Sequence, residues 1–177
     1  MNWDITERNK LKEELQRFST YDELTGLYNR RGFKFLVEQQ LKEARRSKKA
    51  ILLFLIDLNK MKNINDQFGH HAGDLALIDT AKLLKQSFRE TDIIARWGGD
   101  EFVALGVGAT GKDTPIIKKR LEANLHEYNL NSQRDFKLSM SIGEFVAEYD
   151  SKNSLEELII EADKKMYQEK KDFPNQA

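Results

Sequence analysis

Six consecutive apolar residues, Ile51-Leu52-Leu53-Phe54-Leu55-Ile56, form the most apolar stretch of the chain and run directly into an acid, Asp57. A run this short and continuous predicts a strand buried on both faces, which in turn requires cover on each side of a sheet. A carboxylate at the end of such a strand needs a reason. Ligands of α/β sheets gather beyond strand ends, and hard divalent cations such as magnesium are held there by one or two carboxylates together with substrate phosphates.

A second acidic edge lies in Arg96-Trp97-Gly98-Gly99-Asp100-Glu101-Phe102, where two glycines precede two carboxylates. Ile93-Ile94-Ala95 before it and Phe102-Val103-Ala104-Leu105 after it are short and β-prone, so the stretch predicts a hairpin with its turn at the glycines, which supply positive φ angles. Neighbouring side chains on a strand point to opposite faces. Asp100 and Glu101 therefore cannot both serve one point without distortion, and one of them is the principal ligand or base. Two acids at a turn are ordinarily just solvated; if the hairpin pairs beside the apolar strand, Asp57 and Asp100 can share a metal.

The 177 residues suit one domain with an N-terminal extension. The 29 basic and 29 acidic side chains cancel, so no overall field favours nucleic acid or an acidic membrane, and nucleotide binding has to be local. The absence of cysteine excludes disulfides and thiolate chemistry. No apolar run reaches membrane-spanning length and the first residues form no signal peptide, so a cytoplasmic protein is the expectation.

Taken in order, residues 2–18 predict a short amphipathic helix with Leu11, Leu15 and Phe18 on one stripe. Asp22 reads as a cap or turn acid before a helix over 30–46 with Phe33, Leu36, Val37 and Leu41 on its apolar face. A short helix over 60–68, a loop over 69–73 and a long helix capped by Asp74 follow. Further on, the pattern predicts a helix over 115–128, a strand over 136–142, and a last helix opened by the capping box Ser154-Leu155-Glu156-Glu157 and ending near Lys171. With three histidines and no His/Cys ligand spacing, no zinc site is expected.

Gly98-Gly99-Asp100-Glu101-Phe102 resembles the motif of the GGDEF family, the diguanylate cyclases, which join two GTP molecules into cyclic di-GMP. Four further segments fall in order: Asp22 to Arg30 (DELTGLYNR), Asp57 to Asp66 (DLNKMKNIND), Gly69 to Asp74 (GHHAGD) and Ser139 to Gly143 (SMSIG). The resemblance covers roughly residues 20–172 and, with several ordered motifs, is far more specific than a lone glycine pattern. It implies an α/β (α+β) fold, a central, mostly antiparallel sheet flanked by helices like a polymerase palm, carrying an N-terminal helical extension. Residues 1–20 would be a signalling or dimerisation helix and 21–177 the cyclase domain, with an upstream sensor domain allowed for.

The resemblance also implies roles. Asp57, the Leu58 carbonyl, Asp100 and Glu101 would hold Mg2+ (or Mn2+), with Asp100 as base and ligand and Glu101 assisting. Asn65 and Asp74 match positions that hydrogen-bond guanine, although Asp74 read alone is an N-cap. His70, read alone a polar-loop residue, matches a histidine near the nucleotide. Lys62 and Lys170 match lysines directed at the phosphates, and Gly98 and Gly99 lie against the substrate. Arg89-Glu90-Thr91-Asp92, read alone a surface ion pair worth little, has the spacing of an inhibitory site at which Arg89 and Asp92 bind product, with Arg120 in support. The partners implied are GTP, cyclic di-GMP and a second copy of the chain.

Three departures stand out. Phe173-Pro174-Asn175 replaces the usual Gly-Arg-Asn, so a phosphate-binding arginine is missing; Asn59 stands where a second acid is usual; Lys60-Met61 replaces an aromatic pair. A non-catalytic module that senses GTP or cyclic di-GMP is the rival from another class, and a different palm-type nucleotidyl transferase is a third.

Overall fold

A computed structural model describes residues 3–172. Six helices and four strands follow in the order α1 (Trp3–Phe18), α2 (Arg30–Arg46), β1 (Ile51–Leu58), α3 (Met61–Phe68), α4 (His70–Ser87), β2 (Ile93–Arg96), β3 (Glu101–Val107), α5 (Thr114–Asn131), β4 (Met140–Ala147) and α6 (Leu155–Asp172). The strands form one sheet in the order β2-β3-β1-β4, every neighbouring pair antiparallel. The Phe173-Pro174-Asn175 departure lies outside the described residues.

Alternation along β1 divides the core into two layers. Leu52, Phe54, Ile56 and Leu58 face one side with Phe102, Ala104 and Ile94, against Leu77, Leu84 and Leu121 of α4 and α5. Ile51, Leu53 and Leu55 face the other with Val103, Leu105 and Ala95, against Phe33 and Val37 of α2 and Leu158, Ala162 and Met166 of α6. With helices on both faces, β1 has no polar side to show, which is why its sequence is apolar without interruption. The approach of α6 is close at Gly143 on β4, where an added Cβ would lie 2.0 Å from the Ala162 carbonyl oxygen and 2.7 Å from the Met166 backbone nitrogen.

Local chemistry sets most boundaries. Asn29 caps α2 through Gly32 N–H at 2.9 Å, whereas Asp22 serves the preceding turn, its Oδ2 accepting from the Thr25 N–H at 2.9 Å and the Thr25 hydroxyl at 2.7 Å. The capping box opens α6 as its sequence predicts: Ser154 Oγ accepts from Glu157 N–H at 3.2 Å and Glu157 returns a carboxylate to Ser154 N–H at 3.4 Å.

Four expectations are corrected. The predicted loop over 69–73 is helical: Gly69, at φ +88°, ends α3 and begins α4. Asp74 consequently sits in the second turn of α4 and caps nothing. The strand predicted over 136–142 starts at Met140, because the ladder to β1 opens only where Asn59 N–H meets the Ser139 carbonyl at 2.7 Å. Phe136 and Leu138 are buried nevertheless, with Asn129 bracketing the Leu138 backbone by two 2.8 Å bonds. The hairpin turn forms at residues 97–100, yet Gly98 and Gly99 lie outside the positive-φ region.

Candidate functional site

The hairpin of β2 and β3 pairs beside β1 so that Glu101 stands directly opposite Asp57. Asp100, with which Asp57 is expected to share a metal, is one place further along, its carbonyl accepting from Leu58 N–H at 2.9 Å. Because that neighbouring pair is hydrogen-bonded, Asp57 and Glu101 form the intervening non-hydrogen-bonded pair, in which side chains come closest. Burial, followed by repulsion from Asp57, Asp100 and Asp163, pushes the Glu101 carboxyl above the usual glutamate range, with Lys170 opposing. Asp163, on α6, is a fourth acid acting on this sheet end, and no motif reading singles it out.

Asp57 is itself divided. Its Oδ2 accepts from Lys170 Nζ at 2.8 Å, while its Oδ1 is buried with no hydrogen-bond partner. Lys170 comes from the last turns of α6. An orphaned carboxylate oxygen among repelling acids is the environment a hard cation relieves, and an all-oxygen donor set is what magnesium takes. Among the described residues, no three acidic or imidazole side chains are already gathered at ligand distance. Asp100 is half-exposed and makes no side-chain hydrogen bond among the described residues.

The turn that carries Asp100 is fixed from behind. Arg96 donates to the Gly99 carbonyl through Nε at 3.2 Å and Nη2 at 2.9 Å, and through Nη1 to Asp22 Oδ1 at 3.3 Å. Next to it, Trp97 packs edge-on against Phe33, with the Arg30 guanidinium 4.4 Å over its ring. Sequence reading names Arg96 and Asp22 as motif members but does not pair them. Asn59, the departure at the end of β1, is buried and turned away: its amide donates to Ser139 Oγ at 3.1 Å and accepts from Ser141 Oγ at 2.9 Å, joining β1 to β4.

The remaining candidates fall into two groups. Asn65 on α3 is half-buried against α4, and it is Gly73 that admits it, since an added Cβ there would lie 1.9 Å from Asn65 Oδ1. Asp74 follows on the same helix, exposed, as are His70 and Lys62. Between α4 and β2, Asp92 accepts from Arg89 N–H at 2.8 Å and closes the Arg89–Asp92 turn. Both line a cleft of about 350 Å3 whose walls include Leu27, Tyr28, Lys85 and Ile94, with Tyr21 stacked on Tyr28 at 4.9 Å. Arg120 is tied to the end of α4, its Nε donating to the Ser87 carbonyl at 2.6 Å. Another cleft, of about 610 Å3 between α5 and β4, meets the acidic site at Lys170.

Residues 19–176 match the family model described as diguanylate cyclase, GGDEF domain. The chain belongs to the GGDEF family. It is 34% identical over 173 residues to the diguanylate cyclase DgcM of Escherichia coli K12, covering 97% of this chain and 41% of DgcM. The chain thus spans about two fifths of that relative's length. The GGDEF domain of TpbB (YfiN) from Pseudomonas aeruginosa superposes with a TM-score of 0.77 at 31% identity, over 86% of this chain and 89% of that one. A microbial GGDEF domain whose structure describes an interaction with cyclic di-GMP superposes with a TM-score of 0.73 at 32% identity, over 89% and 94% of the two chains. The palm-like cyclase fold of GGDEF domains is therefore the fold of this chain. None of its helices is long and apolar enough to cross a membrane among the described residues.

Proposed function

We propose that this GGDEF domain is a diguanylate cyclase that condenses two GTP molecules into cyclic di-GMP with release of pyrophosphate. The observation that carries this is the sheet end at which Asp57 and Glu101 oppose one another, Asp57 keeps an orphaned oxygen, and Asp100 rides on a braced turn. Each subunit of an antiparallel homodimer binds one GTP. The 3′-hydroxyl of one attacks the α-phosphorus of the other, pyrophosphate leaves, and repetition closes the ring.

Asp57, the Leu58 carbonyl and Asp100, with Glu101 beside them, would hold magnesium or manganese. When bound, the cation lowers the pKa of the attacking hydroxyl and neutralises charge on the phosphate. Asp100 takes the hydroxyl proton, a transfer that a carboxylate performs only when the hydroxyl is acidified. Asn65 and Asp74 bind the guanine edge, whose N–H donors suit an amide oxygen and a carboxylate. Lys62 and Lys170 neutralise the triphosphate, Gly98 and Gly99 leave room for it, and His70 stands near the nucleotide. Arg89 and Asp92 form an inhibitory product site beside the Tyr28 cleft, with Arg120 supporting it through the end of α4. The exposed Leu11 and Leu15 of α1, 54% and 67% accessible, suit a signalling helix that pairs subunits in a cytoplasmic protein.

The deciding experiment incubates the purified chain with GTP and magnesium beside Asp100→Ala and separates the products with mass detection. Cyclic di-GMP from the parent alone supports the cyclase. Binding of GTP or cyclic di-GMP without any product favours a sensing module.

A further inference from the structure

The Asp57–Lys170 ion pair joins residues 113 positions apart and places an ammonium at the acidic end of β1. Lys170 is thus paired with one member of the opposed Asp57–Glu101 couple at the end of the sheet. It is partly accessible, at 31% of its side chain, while Asp57 is 20% accessible and holds its second oxygen buried and unpartnered. The lysine is a long side chain in the last turns of α6, and the carboxylate sits on a strand of the sheet.

Resting on the reading of Asp57 as a metal ligand and Lys170 as a triphosphate contact, we propose that Lys170 is an exchangeable counter-ion that makes metal binding depend on nucleotide. One ammonium cannot serve two anions at full strength. Without nucleotide it neutralises Asp57 and competes with a divalent cation for the same carboxylate by like-charge repulsion. A triphosphate draws it away, and Asp57 is then left with uncompensated charge that the incoming cation satisfies. Lys170 thus acts as a positioning residue whose two partners are exclusive, and by linkage the nucleotide and the metal raise each other's affinity by the same factor. Removing the ammonium should therefore have opposite effects on the two ligands: tighter metal alone, weaker nucleotide.

The test titrates Mn2+ into the intact chain and follows free metal by electron paramagnetic resonance, with and without a non-hydrolysable GTP analogue, so that turnover plays no part. For the parent, the analogue should tighten Mn2+ about tenfold or more; in Lys170→Met, Mn2+ alone should bind about fivefold tighter than in the parent and the enhancement by the analogue should fall to about threefold or less. Lys170→Arg should retain the parent's pattern. Thermal unfolding gives a second readout: added Mn2+ without nucleotide should raise the melting temperature of Lys170→Met more than that of the parent. Equal or weaker binding of Mn2+ alone by Lys170→Met, while Asp57→Asn abolishes that binding, overturns the exchange but leaves the metal site. Mn2+ binding that Asp57→Asn does not alter overturns the metal site itself, and the exchange with it.

Discussion

Arg96 grips the Gly99 carbonyl with two nitrogens, at 3.2 and 2.9 Å, and reaches Asp22 with the third at 3.3 Å. The turn before Asp100 is thus tied to a segment 74 residues earlier in the chain. Since neither glycine of that turn takes up a positive φ, its shape is held by this guanidinium and not by a left-handed backbone.

Arg96→Lys keeps the charge but loses the planar fork that serves two acceptors at once. The catalysis proposed for the neighbouring Asp100 tolerates little misplacement. The expected outcome is a fall in kcat of about tenfold to a hundredfold at nearly unchanged KM, with a stability loss of about 1 kcal/mol. Steady-state kinetics and thermal melts check both. Asp22→Asn should give a smaller effect in the same direction, and the double variant should be less than additive.

Gly73→Ala puts a methyl where Asn65 now lies, 1.9 Å from its Oδ1. Either the amide swings out or α3 moves from α4, and overpacking of this kind costs about 1–3 kcal/mol. GTP affinity should fall about tenfold, one lost good hydrogen bond being worth about 1.4 kcal/mol. Calorimetric titration with a GTP analogue measures it. Affinity equal to the parent's would detach Asn65 from the guanine site.

Much of this geometry is legible in the sequence, and the reasons it fails elsewhere are physical. The run Ile51–Ile56 announces a strand covered on both faces because burial on each side leaves no place for polar residues. The Ser154 box and the face of α2 are local patterns and emerge as read. The start of β4 is not legible, because Phe136 and Leu138 continue the alternation of a strand while their backbone is served by Asn129. Nor is the start of α4 at His70, since a helix entered from a glycine with no capping side chain leaves no sign. The pairings Arg96–Asp22 and Lys170–Asp57 are properties of topology: the motifs contain the residues, but only the sheet brings them together.

Arg89→Ala should relieve inhibition by product. Asp92 is already engaged by the Arg89 N–H, so removing the Arg89 side chain leaves the turn closed and takes away only the guanidinium at the edge of the Tyr28 cleft. Loss of one charge-assisted contact to a phosphate is worth about 1.5–3 kcal/mol, so the inhibitory concentration of cyclic di-GMP should rise about tenfold to a hundredfold. Inhibition curves for parent and variant check this; superimposable curves would remove the regulatory role of Arg89.

Glu101→Gln should stabilise the fold at neutral pH while lowering activity. Burial and the charges of Asp57, Asp100 and Asp163 raise the Glu101 pKa in the folded chain, so the native state binds its proton more tightly than the unfolded state. Stability then falls as pH rises through the unfolded value of about 4.3 toward the raised folded one. Glutamine has nearly the same shape, carries no charge and escapes this loss. The group is partly solvated, so the gain at pH 7 should be only about 0.5 kcal/mol, or about 1–2 °C in melting temperature. Well below the unfolded value, at about pH 3, the glutamate is largely protonated in both states and the two proteins should melt nearly together. A melting temperature at pH 7 equal to or below the parent's would mean that Glu101 is not strained by its neighbours. A rise accompanied by lost cyclase activity would mark the opposed carboxylates as a site that trades stability for its chemistry.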